Sequence, residues 1–308
     1  MSATTSIVSH GEVDALARET YGQGPIVLRI GNGGAGAVGL IAALANDYLA
    51  VYHEPGQASI TWVCNHSRNT QLALLQHHID IALTYERDQE QLAESEGWSK
   101  TIGCIFHDHF VLAGPVNDPA GVMQQNGSLE QALQTIAKTR SLFHSRADSS
   151  ATMFKERSRW VAAGLGPWKD STDEAWYKQS LHSPAGAVIE AGKAGAYLIT
   201  DRSTLLHQTQ LGVVSDMTVF YEPQSETDVL MNSCFALVGT TLAKGDASPE
   251  ERDRFVQYMQ SDRGQDLIRR FGQVEEGDVE CFARVQDGFA RNKMRGGQGV
   301  DRRWRVSE

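Results

Sequence analysis

The 308 residues are 41% hydrophobic and 21% charged, with a formal net charge of −10 at pH 7. That acidic balance lacks the basic footprint of a nucleic-acid binder, although a local pocket of opposite sign still admits a small anion. The length accommodates one large or two medium domains. No apolar run of about 18 residues marks a membrane span. MSATTSIVSHGEVDALARET has neither the basic start nor the apolar core of a secretory signal, so the chain reads as cytoplasmic.

Helix-like and strand-like patterns alternate along the chain, which favours an α/β fold. IVLRI reaches a glycine loop and is followed by a helix over roughly 37–51, with Leu40, Leu44 and Tyr48 on one face. SITWVC reads as a strand, NHSRN as a loop, TQLALLQHH as a short helix and IDIALTY as another strand. After a polar helical segment, HFVLAGP ends in a turn at Pro115. A second unit begins there. SLEQALQTIAKT is amphipathic, SLFHS is a brief strand, and SATMFKERSRWVAAG is helical up to Gly164. AVIEAGKAG is a short helix stopped by glycine, AYLIT a strand, and VVSDMTVFY and DVLMNSCFALVGTTL are extended. SPEERDRFVQYMQSDRGQDLIRRFG opens as one helix, with Ser248 as N-cap and Pro249 at its first position. The Arg- and Gly-rich stretch 284–308 reads as a solvated basic tail.

Four loops carry the chemistry. In the first, Gly31, Gly33 and Gly36 match Gly-x-Gly-x-x-Gly, the pattern that lets backbone N–H groups approach a phosphate at a helix N-terminus. A dinucleotide site also wants an acid about 20 positions on, after the second strand. SITWVC ends in Asn65 instead. The second loop, His66-Ser67-Arg68-Asn69, and the third, Ser145 to Thr152, each follow a strand and open a helix. The fourth ends a strand at Thr200-Asp201-Arg202-Ser203. Each of these three offers hydroxyls and an Arg, whose planar fork suits an oxyanion. Cys64, Cys104, Cys234 and Cys281 lack zinc-ligand spacing, and His77-His78 and His107-x-His109 lack the acidic partners of a metal site. There is no Gly-x-Ser-x-Gly elbow for a nucleophilic serine. No metal and no cofactor is expected.

SLFHSRADSSAT, WVAAG and GKAGAYLITDRSTL, with IDIALTY, HDHFVLAGPVNDPAGV and SDRGQDLIRRFG, resemble in order and spacing the tungstate-binding family of class II periplasmic substrate-binding proteins of ABC importers. The resemblance covers roughly 26–275 and implies a two-lobed α/β fold with two hinge strands and a small oxyanion clamped between the lobes. It implies a first lobe of 26–113 plus 225–283, a second of 114–224, an N-terminal extension 1–25 and the tail 284–308. By position it implies Arg146 as the charged clamp, Ser145 and Ser150 as donors, and Asp148 as support for the loop. Ser67, with Arg68, falls on the family's second anion loop, and Ser183 on a loop that faces the ligand. Asp201 and Arg202 either touch the ligand or form an internal ion pair. The family's first loop is a run of hydroxyl residues; here those positions are Gly31-Asn32-Gly33-Gly34, leaving the Asn32 amide and the N–H groups of Gly33 and Gly34. The expected function is non-catalytic binding of a tungstate- or molybdate-like anion. Without an export signal, a permease is a doubtful partner. The second reading is an NAD(P)-dependent or other nucleotide-using enzyme acting through the Gly31–Gly36 loop.

Overall fold

The computed structural model describes residues 5–124, 127–148, 150–169, 175–273 and 280–290, together with the backbone of 304–305. In chain order the first elements are β1 (Glu19–Gln23), β2 (Ile26–Asn32), α1 (Gly34–Ala37), α2 (Leu40–Tyr52) and β3 (Ala58–Cys64). Next come α3 (Ser67–Leu75), β4 (Ile81–Thr84), α4 (Arg87–Ser95) and the long strand β5 (Ser99–Pro115). There follow α5 (Leu129–Thr139), β6 (Phe143–Ser145), α6 (Ala151–Ala162), β7 (Tyr177–Gln179), α7 (Pro184–Ala194), β8 (Leu198–Asp201) and α8 (Arg202–Gln210). The last are β9 (Met217–Tyr221), β10 (Met231–Gly239), α9 (Pro249–Gln260), α10 (Asp262–Arg270) and β11 (Trp304–Arg305).

These elements form two units. The first holds the chain up to His107 and Asn232–Ala290, and the second holds Asp108–Met231. The chain therefore leaves the first unit within β5 and returns to it at the start of β10.

In the first unit the strand order is β1-β3-β2-β4-β10. β2 lies parallel to β3 and β4, with Ile30 opposite Trp62 and Ile81, while β1 and β10 run antiparallel at the two flanks. β3 and β4 are apolar and buried almost throughout, as central strands covered on both faces must be. The carboxyl ends of β2, β3 and β4 lead into α1, α3 and α4.

In the second unit, β5 pairs antiparallel with β8 and β9, and β9 takes β11 along its other side. β6 and β7 are parallel, and Phe143 bridges in parallel to Tyr197 just before β8. Phe143 anchors the core here: its ring stacks on Tyr177 at 5.8 Å and meets Trp160 edge-on at 5.1 Å. Offset stacks and edge contacts of this kind add to the area that the rings bury. The carboxyl ends of β6, β7 and β8 lead into α6, α7 and α8.

Several elements depart from the reading of the sequence. The helix expected over 37–51 is two helices, because Gly39 adopts a left-handed φ of 97° between α1 and α2. The helix expected from Ser248 onward also breaks, at Ser261. That residue is extended and its hydroxyl caps α10 by accepting from the Gly264 N–H. A side chain at Gly264 would lie 2.3 Å from the Tyr258 carbonyl, so the tight corner needs glycine there. HFVLAGP is the end of a strand of 17 residues.

The start of the chain is bound to the first unit. Ile7 is buried, Thr5 and Ser6 bond Glu96, and His10 and Asp14 exchange hydrogen bonds with Asn69 and Asn65. Of the tail, 284–290 and the backbone of 304–305 are described, and Arg284 pairs with Asp287 at 2.7 Å. Residues 291–303 and 306–308, on which most of the expected solvated tail falls, lie outside the described residues.

Candidate functional site

Both units place their chemistry-bearing loops where the carboxyl ends of strands lead into helices. That is where α/β sheets present helix N-termini and backbone donors to ligands.

In the second unit, Ser145 ends β6 and Arg146 follows it, 4% exposed at its side chain. Ala147 turns in the left-handed region at φ 53° and brings Asp148 back onto its own neighbour. Asp148 Oδ2 accepts from Arg146 Nη2. Asp148 Oδ1 accepts from the Ser150 N–H at 3.0 Å and from its hydroxyl at 2.5 Å. Ser150 is the N-cap of α6 and its oxygen accepts from Met153 N. Arg146 Nη1 reaches Thr152 Oγ1 at 3.5 Å, and Thr152 reaches Asp201 Oδ2 at 3.4 Å. Arg146 Nε is buried with no hydrogen-bond partner among the described residues, and so is Thr200 Oγ1 on the adjoining strand. An orphaned guanidinium donor at a helix N-terminus is an unusual cost for a fold to carry without a ligand.

Beneath this loop the Ser145 hydroxyl lies 3.5 Å from Met153 Sδ and within reach of Tyr177 and Glu156. Burial pushes the Glu156 carboxyl up to about 7, against the pull of the Tyr177 hydroxyl that donates to it at 2.8 Å. Asp201 is also pushed up by burial, with the Arg146 charge opposing the shift. Asp108 rises to about 7 through burial and the neighbouring Asp201 charge. Its oxygens accept from Ser203 Oγ at 2.6 Å and Ser203 N at 3.3 Å, so it caps α8 from another strand. Asp108 was not singled out in the sequence; it stands 95 residues from its partner, and no local spacing signals the pair.

Ser183 is exposed and caps α7, accepting from Gly186 N at 3.1 Å. Arg202 is fully buried and pairs with Glu222, itself 4% exposed. That placement makes Arg202 an internal cation at the base of α8; the partner not foreseen was Glu222, twenty residues on.

In the first unit, the Asn32 amide is fully engaged. Its Nδ2 donates to the Leu83 carbonyl at 2.9 Å and contacts Tyr85 OH at 3.4 Å, and its Oδ1 accepts from Gly36 N at 2.8 Å. Asn32 therefore ties β2 to β4 and bonds the first turn of α1, contacts internal to the fold. Gly36 and Gly31 serve packing: a Cβ at Gly36 would lie 2.2 Å from the Trp62 ring, and one at Gly31 would lie 2.3 Å from Ile79. A Cβ at Gly33 would meet the Asn65 carbonyl at 2.9 Å, whereas Gly34 has open space around it.

Ser67 opens α3 and its oxygen accepts from Tyr85 N at 3.2 Å. Arg68 donates twice to Glu86, at 2.9 and 3.1 Å, and approaches His10 Nε2 at 2.5 Å. Its charge is thus neutralised by Glu86. Of the site residues read from the sequence, the structure brings Ser145, Arg146, Ser150 and Asp201 into one cluster in the second unit. In the first unit Asn32 and Arg68 are held in contacts internal to the fold. Among the described residues no group of three or more His, Cys, Asp or Glu side chains is placed to hold a metal ion. His77 and His107 bond Asp246 and Ser233 at 2.8 and 2.7 Å.

Comparison with known proteins agrees with this architecture. A family model described as "PBP superfamily domain" matches residues 20–263. A Haloferax volcanii protein named "Putative ABC transporter anion-binding protein" is 26% identical over 62% of this chain and 54% of its own length. The tungstate-binding protein TupA of Peptoclostridium acidaminophilum is 27% identical over 64% of this chain and 66% of its own. The chain thus spans between about half and two thirds of these curated relatives. A solved structure described as "a periplasmic putative metal binding protein" superposes with a TM-score of 0.74 at 27% identity, covering 87% of this chain and 98% of that one. These relatives overturn the expectation of a cytoplasmic protein, and with it the doubt about a permease. The first is an ABC-transporter protein by name and the solved structure a periplasmic one, and they point to export. With alternating strands and helices in two units and a family model spanning most of its length, this chain belongs to the PBP superfamily, with the two-lobed α/β fold of class II binding proteins.

Proposed function

We propose that this chain is a non-catalytic receptor for a small tetrahedral oxyanion of the tungstate or molybdate kind, serving an ABC importer, with Arg146 as its principal charged contact. The observation that carries this reading is the buried Arg146 guanidinium at the N-terminus of α6, with Nε lacking any partner among the described residues. A guanidinium, a serine hydroxyl and first-turn N–H groups are the donors that a dianion with four oxygens needs. The named relatives, a tungstate-binding and an anion-binding protein, support the same class of ligand. Closure of the two units on the anion is the finer part of the proposal, supported by the two crossings of the chain between them. Small-angle scattering with and without tungstate tests that part.

The nucleotide reading is not favoured, because Gly31 and Gly36 face Ile79 and the Trp62 ring in the packed interior. The test is a thermal-shift screen against tungstate, molybdate, sulfate, phosphate and NAD(P)H. A ligand at about 100 times its Kd stabilises by about 2.7 kcal/mol. Arg146→Ala is expected to abolish the response to the oxyanions and to keep a cooperative melt. Undiminished binding by that variant, or a response to NAD(P)H alone, defeats the assignment.

A further inference from the structure

We infer that Asp148 is a built-in competitor for the anion: its carboxylate occupies the donors that an oxyanion would take, and the ligand must displace it to bind. This rests on the proposed oxyanion site at Arg146. One Asp148 oxygen takes the guanidinium, and the other takes both the N–H and the hydroxyl of Ser150 at the mouth of α6. Those three donors, one charged and two at a helix N-terminus, are the strong ones of this loop. The donors left over, Arg146 Nε and Thr200 Oγ1, are both buried and without partners among the described residues.

An incoming dianion meets Asp148 already seated on Arg146 Nη2 and on both donors of Ser150. Asp201 lies beyond Thr152 on the other side. Two like charges at contact distance in a partly buried site disfavour each other strongly. Asp148 is only 13% exposed at its side chain, and its hydrogen bonds to Arg146 and Ser150 stay within its own loop, two positions before it and two after. Release of these contacts calls for a rotation within the loop, where Ala147 already sits in the left-handed region at φ 53°. The device fills the site while it is empty, which gives the buried guanidinium a hydrogen-bonded counter-charge. It also sets a threshold that every anion must exceed, since affinity falls in proportion to the fraction of chains whose loop is open.

The alternative role, implied by the family resemblance, is that Asp148 holds Arg146 in place for the ligand. The two roles predict opposite changes in affinity. The test is isothermal titration of the full chain with sodium tungstate and with sodium sulfate, using the wild type, Asp148→Asn, Asp148→Ala and Arg146→Ala, with circular dichroism melts for each. If the loop is closed about nine-tenths of the time, either Asp148 variant binds tungstate about tenfold tighter than the wild type. Sulfate gains by a similar factor, while the unliganded melting temperature falls. A folded Asp148 variant with unchanged or weaker affinity, beside an Arg146→Ala that has lost binding, overturns the competitor and leaves the oxyanion site standing. Wild-type affinity in Arg146→Ala overturns both. A third measurement needs no variant at Asp148: observed association rates of the wild type should level off with rising tungstate, because opening of the loop becomes limiting. A linear dependence throughout counts against the competitor.

Discussion

Glu156 shows how much of this site lies beneath its surface. Its carboxyl is buried under Ser145 and held by Tyr177, and burial pushes it up to about 7. An acid whose folded value exceeds its unfolded one, about 4.3 for glutamate, favours the folded state below that lower value. The contribution is lost as pH rises from there through about 7. Glu156→Gln keeps the acceptor for Tyr177 and removes the titration. Melting temperatures followed from pH 4 to 8 should therefore decline less steeply in Glu156→Gln than in the wild type, and the variant should be the more stable of the two at pH 8. Parallel profiles would show that Glu156 is ionised at low cost. Asp108, pushed to about 7 by burial and by Asp201, contributes a decline of the same sign that this substitution leaves in place.

At the scale of elements, the loop between β2 and α2 separates a motif from its mechanism. Gly31, Gly33 and Gly36 match the dinucleotide pattern by spacing, but spacing carries no information on what lies opposite each glycine. Gly36 backs onto the Trp62 ring, 1% exposed, while the Trp62 N–H donates to the Asn32 carbonyl at 2.8 Å. Gly36→Ala inserts a methyl where the ring cannot retreat, and an overpacked core of this kind costs about 1–3 kcal/mol. Urea denaturation measures it directly; a loss well under that range would mean that the loop yields and that the glycine answers to something outside the core. Other elements were legible because their signals are local. Ser128 and Gln131 form a capping box on α5, and Ser248 and Pro249 start α9 in the expected place. The break at Ser261 was not legible, because it depends on how closely Gly264 approaches the Tyr258 carbonyl.

For the whole molecule, the charge of −10 opposes the approach of the proposed dianionic ligand. Repulsion between like charges slows encounter at low salt and is screened as ionic strength rises, with a Debye length near 10 Å at 0.1 M. Tungstate association is expected to quicken between about 0.01 M and 0.1 M salt. Stopped-flow tryptophan fluorescence would follow it, and a rate that falls over that range would show that a local positive field at Arg146 outweighs the net charge. Residence, in contrast, was misjudged from the first 20 residues. Those residues bond to Glu96, Asn65 and Asn69 of the first unit, and the relatives are ABC-transporter and periplasmic proteins by name.

The sequence by itself determined the α/β class and most of the strands and helix starts, and it singled out the loop Ser145–Thr152 as a candidate anion loop. Each follows from neighbours within a turn or two of one another: apolar period, cap residue, and an Arg beside hydroxyls. Only the tertiary structure decided which of the polar residues had donors to offer. Asn32 meets Leu83, Arg68 meets Glu86 and Arg202 meets Glu222, so their hydrogen bonds are satisfied within the fold. Arg146 alone among these four keeps a buried donor without a partner among the described residues. A hydrogen-bonding group reads the same in a sequence whether it is satisfied or waiting, because its partner is set by the fold and not by the chain around it.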